Sequence, residues 1–365
     1  MASTRRLNDI AFLDLAHGYG LFTQSTNTCT VLVGPTSDGG ATFGPLVPIT
    51  ASNCGSGAGS GSTLTFDNHG DGFVYDPGLV VTHDGGHTWT DTRQPGTVLS
   101  VEALGYSVWM VETACPPGST VPTCPMQLLE STDGGRTWSR SSNAPSGAVD
   151  GYNAGGANGQ TVLVRTGPSS AYLVGAPANG ATGPHNAAPM WFTSDNGAAW
   201  ASRPIPCGGP ALSIVLSAAP DGTLLAVCAG QPSAGSQLKS AVRSTDGGRT
   251  WQVEFACLPM PGNQSCENAP LNFGYLGGID AVSGTTEFLY GARSSLLVSR
   301  NAGATWQVVQ PPIGDTGDGS FGAIFFNPSD GIVLAADDTS NGANLLLFST
   351  TDGGLHWTKR VPVAG

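Results

Sequence analysis

The sequence predicts an all-β chain folded as a seven-bladed β-propeller of four-stranded antiparallel blades, and three observations predict it. One octapeptide recurs seven times in the 365 residues, its last, aromatic position falling at Phe43, Trp89, Trp138, Trp200, Trp251, Trp306 and Trp357. The intervals are 46, 49, 62, 51, 55 and 51 residues, so seven units account for essentially the whole chain and leave no second domain to place. The composition agrees. Fifty-three glycines and 26 prolines with only 11% charged residues describe a turn-rich β protein rather than a charge-rich disordered chain or a coiled coil.

Each element follows from the repeat. The octapeptide opens with Thr or Ser. Its third position is Asp38, Asp84, Asp133, Asp195, Asp246 or Asp352, with Asn301 in the sixth copy, and its fifth is Gly in all seven. Gly there fits a turn that needs positive φ. The Asp can accept backbone N–H groups across that turn, and the aromatic residue brings a large apolar face to the next strand. Seven equivalent aspartates cannot share one active site, so their role is read as structural. Between copies the chain alternates or runs apolar in short segments, as in the seventh unit (GAIFFNPSDG, IVLAADD, NLLLFST, octapeptide, HWTKRVPV). That order gives four strands, A to D, with the octapeptide at the C–D turn. A four-stranded unit with two apolar faces is stable only against neighbours, which radial repetition supplies. Blades are expected at about 7–49, 62–94, 97–142, 160–206, 211–256, 273–312 and 320–362. Each is continuous in sequence, so the ring is expected to close by packing and edge contact, without a strand exchanged between the termini.

The octapeptide resembles the Asp-box, or BNR, repeat (S/T-x-D-x-G-x-T-W), and the resemblance covers residues from about 7 to 361. Sialidase-like propellers, xyloglucanase-type glycosidases, sortilin-type receptors and photosystem II assembly-factor-like propellers carry it. It implies that box turns and A–B turns share one face, while B–C and D–A connections share the other. The long irregular segments 50–62, 113–126, 141–160, 176–189, 230–238, 256–272, 312–320 and 338–344 all fall in the latter class. That face is therefore expected to carry function. Sialidase chemistry implies an Arg-Ile-Pro motif near the first blade. Here Arg203-Pro-Ile-Pro206 follows the fourth box on an outer strand, so true sialidase activity is not expected.

On the loop face Asp150, Tyr152, Glu267, Tyr275 and Arg293 are the candidate ligand contacts, the two tyrosines offering rings that stack on a sugar. The leading expectation is a monomeric, extracytoplasmic recognition propeller that binds a glycan or protein. The alternative is a glycoside hydrolase or polysaccharide lyase using two carboxyl groups of that face, at about 5–5.5 or 6.5–9.5 Å. Asp315, Asp318 and Ser320 share one loop whose hard oxygens suit Ca²⁺; no other cofactor is expected.

A net charge of −12 with only two lysines, Lys239 and Lys359, argues against nucleic acid, which needs a clustered basic surface. No apolar run reaches the ~18–20 residues of a membrane span. Eight cysteines without a CxxC pair point to disulfides and an oxidising compartment. The first residues lack the apolar core of a signal peptide, so export implies a signal outside this sequence. Positions within the repeat select the pairs Cys29–Cys54, Cys115–Cys124, Cys207–Cys228 and Cys257–Cys266.

Overall fold

A computed structural model describes residues 4–25, 29–49, 62–113, 123–146, 148–150, 162–175, 187–209, 211–230, 236–258, 274–313, 320–336, 345–360 and 363–364. These form seven antiparallel blades, each with four strands ordered A–B–C–D from the inside out; the third carries a fifth strand paired to its strand C. Blade one runs Thr4–Phe12, Gly18–Ser25, Cys29–Thr36 and Val47–Ile49. Blade seven runs Ser320–Phe325, Gly331–Ala336, Leu345–Thr350 and Thr358–Arg360. Both are continuous, as expected, and among the described residues neither four-stranded blade takes a strand from the other end of the chain. The seam between them is apolar: Leu7, Phe12 and Phe22 of blade one pack with Ile332, Leu334 and Leu347 of blade seven. One contact was not foreseen. Val363–Ala364 pairs in parallel with Thr42–Phe43, tying the last residues back onto blade one. Among the described residues no helix is long and apolar enough to cross a membrane.

The box is a hydrogen-bonded turn whose every part has a use. In blade three, Ser131 Oγ donates to Asp133 Oδ1 at 2.7 Å and accepts the Gly135 N–H at 2.8 Å. The same carboxylate accepts the Thr137 N–H at 2.9 Å and the Thr137 hydroxyl at 2.6 Å. The Ser/Thr and backbone bonds recur in the other boxes, the last hydroxyl bond being absent at Ala199 and replaced by the His356 ring in box seven. These bonds hold the box carboxyls well below the usual range, to about 2 at Asp38 and Asp352. In box six Asn301 keeps the geometry by accepting the Thr305 N–H and donating to its hydroxyl. The fifth-position glycines have φ between 78° and 91°. A backbone bond then joins the box to the A–B turn of its own blade in six blades, as in Gly85 N to Gly70 O (3.0 Å) and Gly353 N to Ser329 O (2.7 Å). Box turns and A–B turns therefore share one face.

The boxes also join neighbouring blades. A Cβ on Gly135 would lie 2.9 Å from Phe73 of blade two, and one on Gly248 2.7 Å from Met190 of blade four. The residue before each such glycine meets polar groups of the preceding blade: Tyr172 Oη and Arg203 Nη1 both donate to Gly247 O, and Arg300 Nη2 donates to Gly353 O at 2.7 Å. Arg203, the residue of the Arg-Pro-Ile-Pro segment, also lies 3.9 Å over the Phe192 ring. Its guanidinium is a clasp between blades four and five.

Cys207 and Cys228 are joined, linking the exit of blade four to strand B of blade five across 21 residues. Closing a loop of that length constrains the unfolded chain by about 3 kcal/mol. Cys29 and Cys257 are also disulfide-bonded; Cys54, Cys115 and Cys266 lie outside the described residues.

The two uses of the box separate by mutation. Asp133→Ala removes the turn cap and is expected to lower stability, as loss of a helix N-cap does. Gly135→Ala forces a side chain into the left-handed region, at about 1–2 kcal/mol, and against the Phe73 ring, so it should cost more. Urea denaturation of the two variants checks the order.

Candidate functional site

Three places outside the boxes hold unusual chemistry. The first is the axis. Strand A pairs with strand B on one edge only, so its other edge presents bare N–H groups to the centre of the ring. Side chains of the preceding blade cap them. Asp9 Oδ2 accepts the Leu64 N–H at 2.8 Å, Ser217 Oγ the Ala281 N–H at 3.0 Å, and Asp280 Oδ2 the Phe325 N–H at 2.7 Å. The Tyr75 and Tyr290 hydroxyls meet the backbones of Val101 and Ala323 in the same way. These side chains keep some exposed surface while sitting deep in the ring, as groups lining a narrow channel do. Burial pushes Asp9 up to about 6, Glu102 to about 7 and Asp280 to about 7. Asp76, on the B–C turn of blade two, is raised to about 6 by the same cause. Sequence reading missed Asp9, Glu102 and Asp280. The available signal was an acidic residue inside an apolar inner strand, as in LNDIAF and GGIDAV.

The second place is the loop side of blades five and six. Lys239 is buried, and its ammonium donates to Gln237 O at 2.9 Å and Gly274 O at 3.0 Å. Burial lowers its pKa to about 8. Gln237 Oε1 accepts the Leu276 N–H, and Tyr275 N donates to Ala292 O at 2.7 Å. This node fixes the strand entering blade six and brings together two of the candidate contacts, half-buried Tyr275 and exposed Arg293, the latter at φ 55°.

The third place is the rim of blade three. Strand C there is nine residues long, Thr123–Ser131. Its outer edge pairs with Ser139–Arg140 at Glu130 and Leu129, Ser141 N donates to Leu128 O at 2.9 Å, and a fifth strand, Ala148–Asp150, pairs with Pro125–Thr123. Between these contacts Met126 has no strand partner on that edge among the described residues, while Gln127 turns its N–H and C=O toward Glu112 of strand B. Residues 141–146 arch away and leave an open groove of about 710 Å³. Met126 and Leu128 floor it, Ala144 and Pro145 wall it, and Arg140 stands at its edge. The arginine faces Glu112, whose carboxyl burial raises.

Of the remaining sequence candidates, Asp150 lies in the fifth strand of blade three, opposite Thr123, three blades from Tyr275 and Arg293. Tyr152, Glu267, Asp315 and Asp318 lie outside the described residues, and Ser320 begins strand A of blade seven. No group of three or more His, Cys, Asp or Glu is placed to hold a metal ion among the described residues.

Residues 95–310 match the family model of the BNR repeat-like domain. No curated protein matches the sequence. Among solved structures, YCF48 bound to a D1 peptide is similar at 19% identity, over 92% of both chains, with a TM-score of 0.54. YCF48 from Cyanidioschyzon merolae is similar at 16% identity, over 96% of this chain and 97% of that one, with a TM-score of 0.56. A GH74 xyloglucanase from Xanthomonas campestris is similar at 14% identity and a TM-score of 0.52; 96% of this chain aligns with 60% of the enzyme. At these identities the likeness is one of fold.

The axial carboxyls carry a pH dependence. Their folded pKa values lie above the unfolded ones, so the folded state holds extra protons between about pH 4 and 7. Their contribution is fully present below pH 4 and is lost as pH rises to about 7. Asp280→Asn keeps an oxygen acceptor for Phe325 N–H and removes the charge. It should raise stability at pH 8 by at least about 1 kcal/mol, the scale of one pKa unit, and change little at pH 4.5. Urea unfolding at both pH values checks the sign.

Proposed function

The chain belongs to the BNR repeat-like domain family, and from that premise we propose that it is a recognition propeller that binds a short extended protein segment on the loop side of the blade-three rim. The observation that carries this is the open edge of strand C over an apolar groove. An unpaired strand edge offers main-chain hydrogen bonds to a ligand strand, while a pocket beside it selects a side chain. Met126 and Leu128 suit an aliphatic residue, and Arg140 suits a neighbouring carboxylate. A YCF48 structure of the same fold holds a D1 peptide, which supports a peptide ligand for this fold without placing it. The disulfides favour an extracytoplasmic setting.

Glycoside hydrolysis or lyase chemistry is the second reading, favoured by the raised carboxyls of Glu102 and Asp280, since a general acid needs a raised pKa. It ranks second because an Asp280 oxygen is engaged by Phe325 N–H and Glu102 faces the Arg165 guanidinium.

Panning a random-heptapeptide phage library on the protein separates the readings. Enriched peptides should combine β-branched residues with Asp or Glu. Met126→Glu and Arg140→Glu should each weaken them at least about tenfold, ~1.4 kcal/mol, at unchanged Tm. If Tyr275→Ala or Arg293→Ala abolishes binding and the groove variants do not, the site lies on blades five and six. Turnover of chromogenic glycosides that Glu102→Gln removes would favour the enzyme.

A further inference from the structure

At the seam of blades five and six, close to box six, three charged side chains are buried together, and the binding reading above makes no use of them. Arg243 comes from strand C of blade five (Lys239–Ser244), Glu254 from its strand D (Gln252–Ala256) and Glu287 from strand B of blade six (Glu287–Tyr290). Their side chains are 5%, 4% and 0% exposed. Arg243 Nε donates to Glu254 Oε1, Nη2 to Glu287 Oε2 and Nη1 to Gly284 O at 2.7 Å. Each of the three guanidinium nitrogens is thereby engaged. One oxygen of each carboxyl, Glu254 Oε2 and Glu287 Oε1, remains buried without a hydrogen-bond partner.

Two ionised carboxylates on one guanidinium would leave a net negative charge in a dry seam, which is costly. Two orphan acceptors cannot satisfy each other unless one of them carries a hydrogen. A single proton resolves both problems: it cancels the excess charge and turns one orphan oxygen into a donor to the other. Among the described residues Asp221, on the A–B turn of blade five, also faces Arg243. It is exposed and accepts the Thr223 N–H at 3.0 Å. Box six closes over the arrangement: a Cβ on Gly303 would lie 2.3 Å from the Glu254 carboxyl carbon.

We propose that Glu254 and Glu287 share one proton and, with Arg243, form a proton-locked clasp between blades five and six that loosens as pH rises. Burial and the neighbouring Glu254 both push the Glu287 pKa up, which agrees with the geometry. Relative to a locally opened seam, where both carboxyls titrate normally, the clasp is tightest below the ordinary glutamate range. Its opening constant should grow up to about tenfold per pH unit above that range and level off once the shared proton is lost.

The test uses the full chain with ¹³C-labelled glutamate carboxyls. Only six glutamates are present, and E254Q and E287Q assign the pair. Wild-type protein should show a clasp carboxyl still protonated at pH 7 that titrates at higher pH. In E287Q that signal should vanish and Glu254 should stay ionised. Hydrogen exchange at Glu287–Tyr290, corrected for intrinsic rates, should show an opening constant that rises with pH in the wild type and stays flat in E287Q. Full ionisation of Glu254 and Glu287 at pH 7, or the same pH-dependent opening in E287Q, overturns the proposal. If E287Q fails to fold, E254Q and the wild-type titration still decide it.

Discussion

The close approach of one blade to the next at a left-handed glycine is the constraint on which the rest of the molecule depends. Each box must turn within a few residues, hold its own A–B turn and seat against the preceding blade. Glycine meets all three demands at the fifth position, because the backbone has φ near 80°, and at Gly135 and Gly248 the neighbouring ring or thioether occupies the space a Cβ needs. The Asp makes that turn inexpensive to form by satisfying its amides. The aromatic residue then opens strand D: Trp89 Nε1 bonds back to Gly86 O and Trp200 Nε1 to Gly197 O, so the ring packs where the box leaves it. A box weakened in one part can keep the rest, as Asn301 shows.

A ring built this way leaves seven inner strands with a bare edge at the axis. Closure removes the outer aggregation hazard of a free sheet only partly, and the inner N–H groups still need acceptors. Asp9, Ser217 and Asp280 are the acceptors at blades two, six and seven. This gives the axial carboxyls a structural account before a catalytic one. It also explains why acidic residues interrupt otherwise apolar strands. The box face and the axis are both committed to holding the ring together. The rim of blade three differs, since its strand C outruns the outer strand and, among the described residues, no strand pairs with it at Met126 on that edge.

Much of this was legible in the sequence because the repeat is local. The spacing of Phe43 and the six tryptophans, the fifth-position glycines and the third-position aspartates each report a turn whose geometry depends on a few neighbours. Continuity of blades one and seven and the Cys207–Cys228 pair follow from position within the repeat. What was not legible depends on neighbours distant in the chain. Asp9 and Leu64 are 55 residues apart and Asp280 and Phe325 are 45 apart, and no local pattern announces such a cap. Arg203 reads as part of a motif, yet its role is set by Gly247 of the next blade. Asp150 was grouped with Tyr275 and Arg293 by loop class, but loop class fixes a side of the disc and not a blade.

The account's central claim is that boxes and axis serve the ring, which leaves an incomplete strand edge on blade three for recognition. Hydrogen–deuterium exchange of the protein with and without its tightest selected peptide tests that claim most directly. The account predicts new protection confined to residues 123–146, strongest at the amide of Met126, with the box turns unchanged. Protection centred on the box turns, or on residues 236–293 of blades five and six with none at Met126, would contradict it.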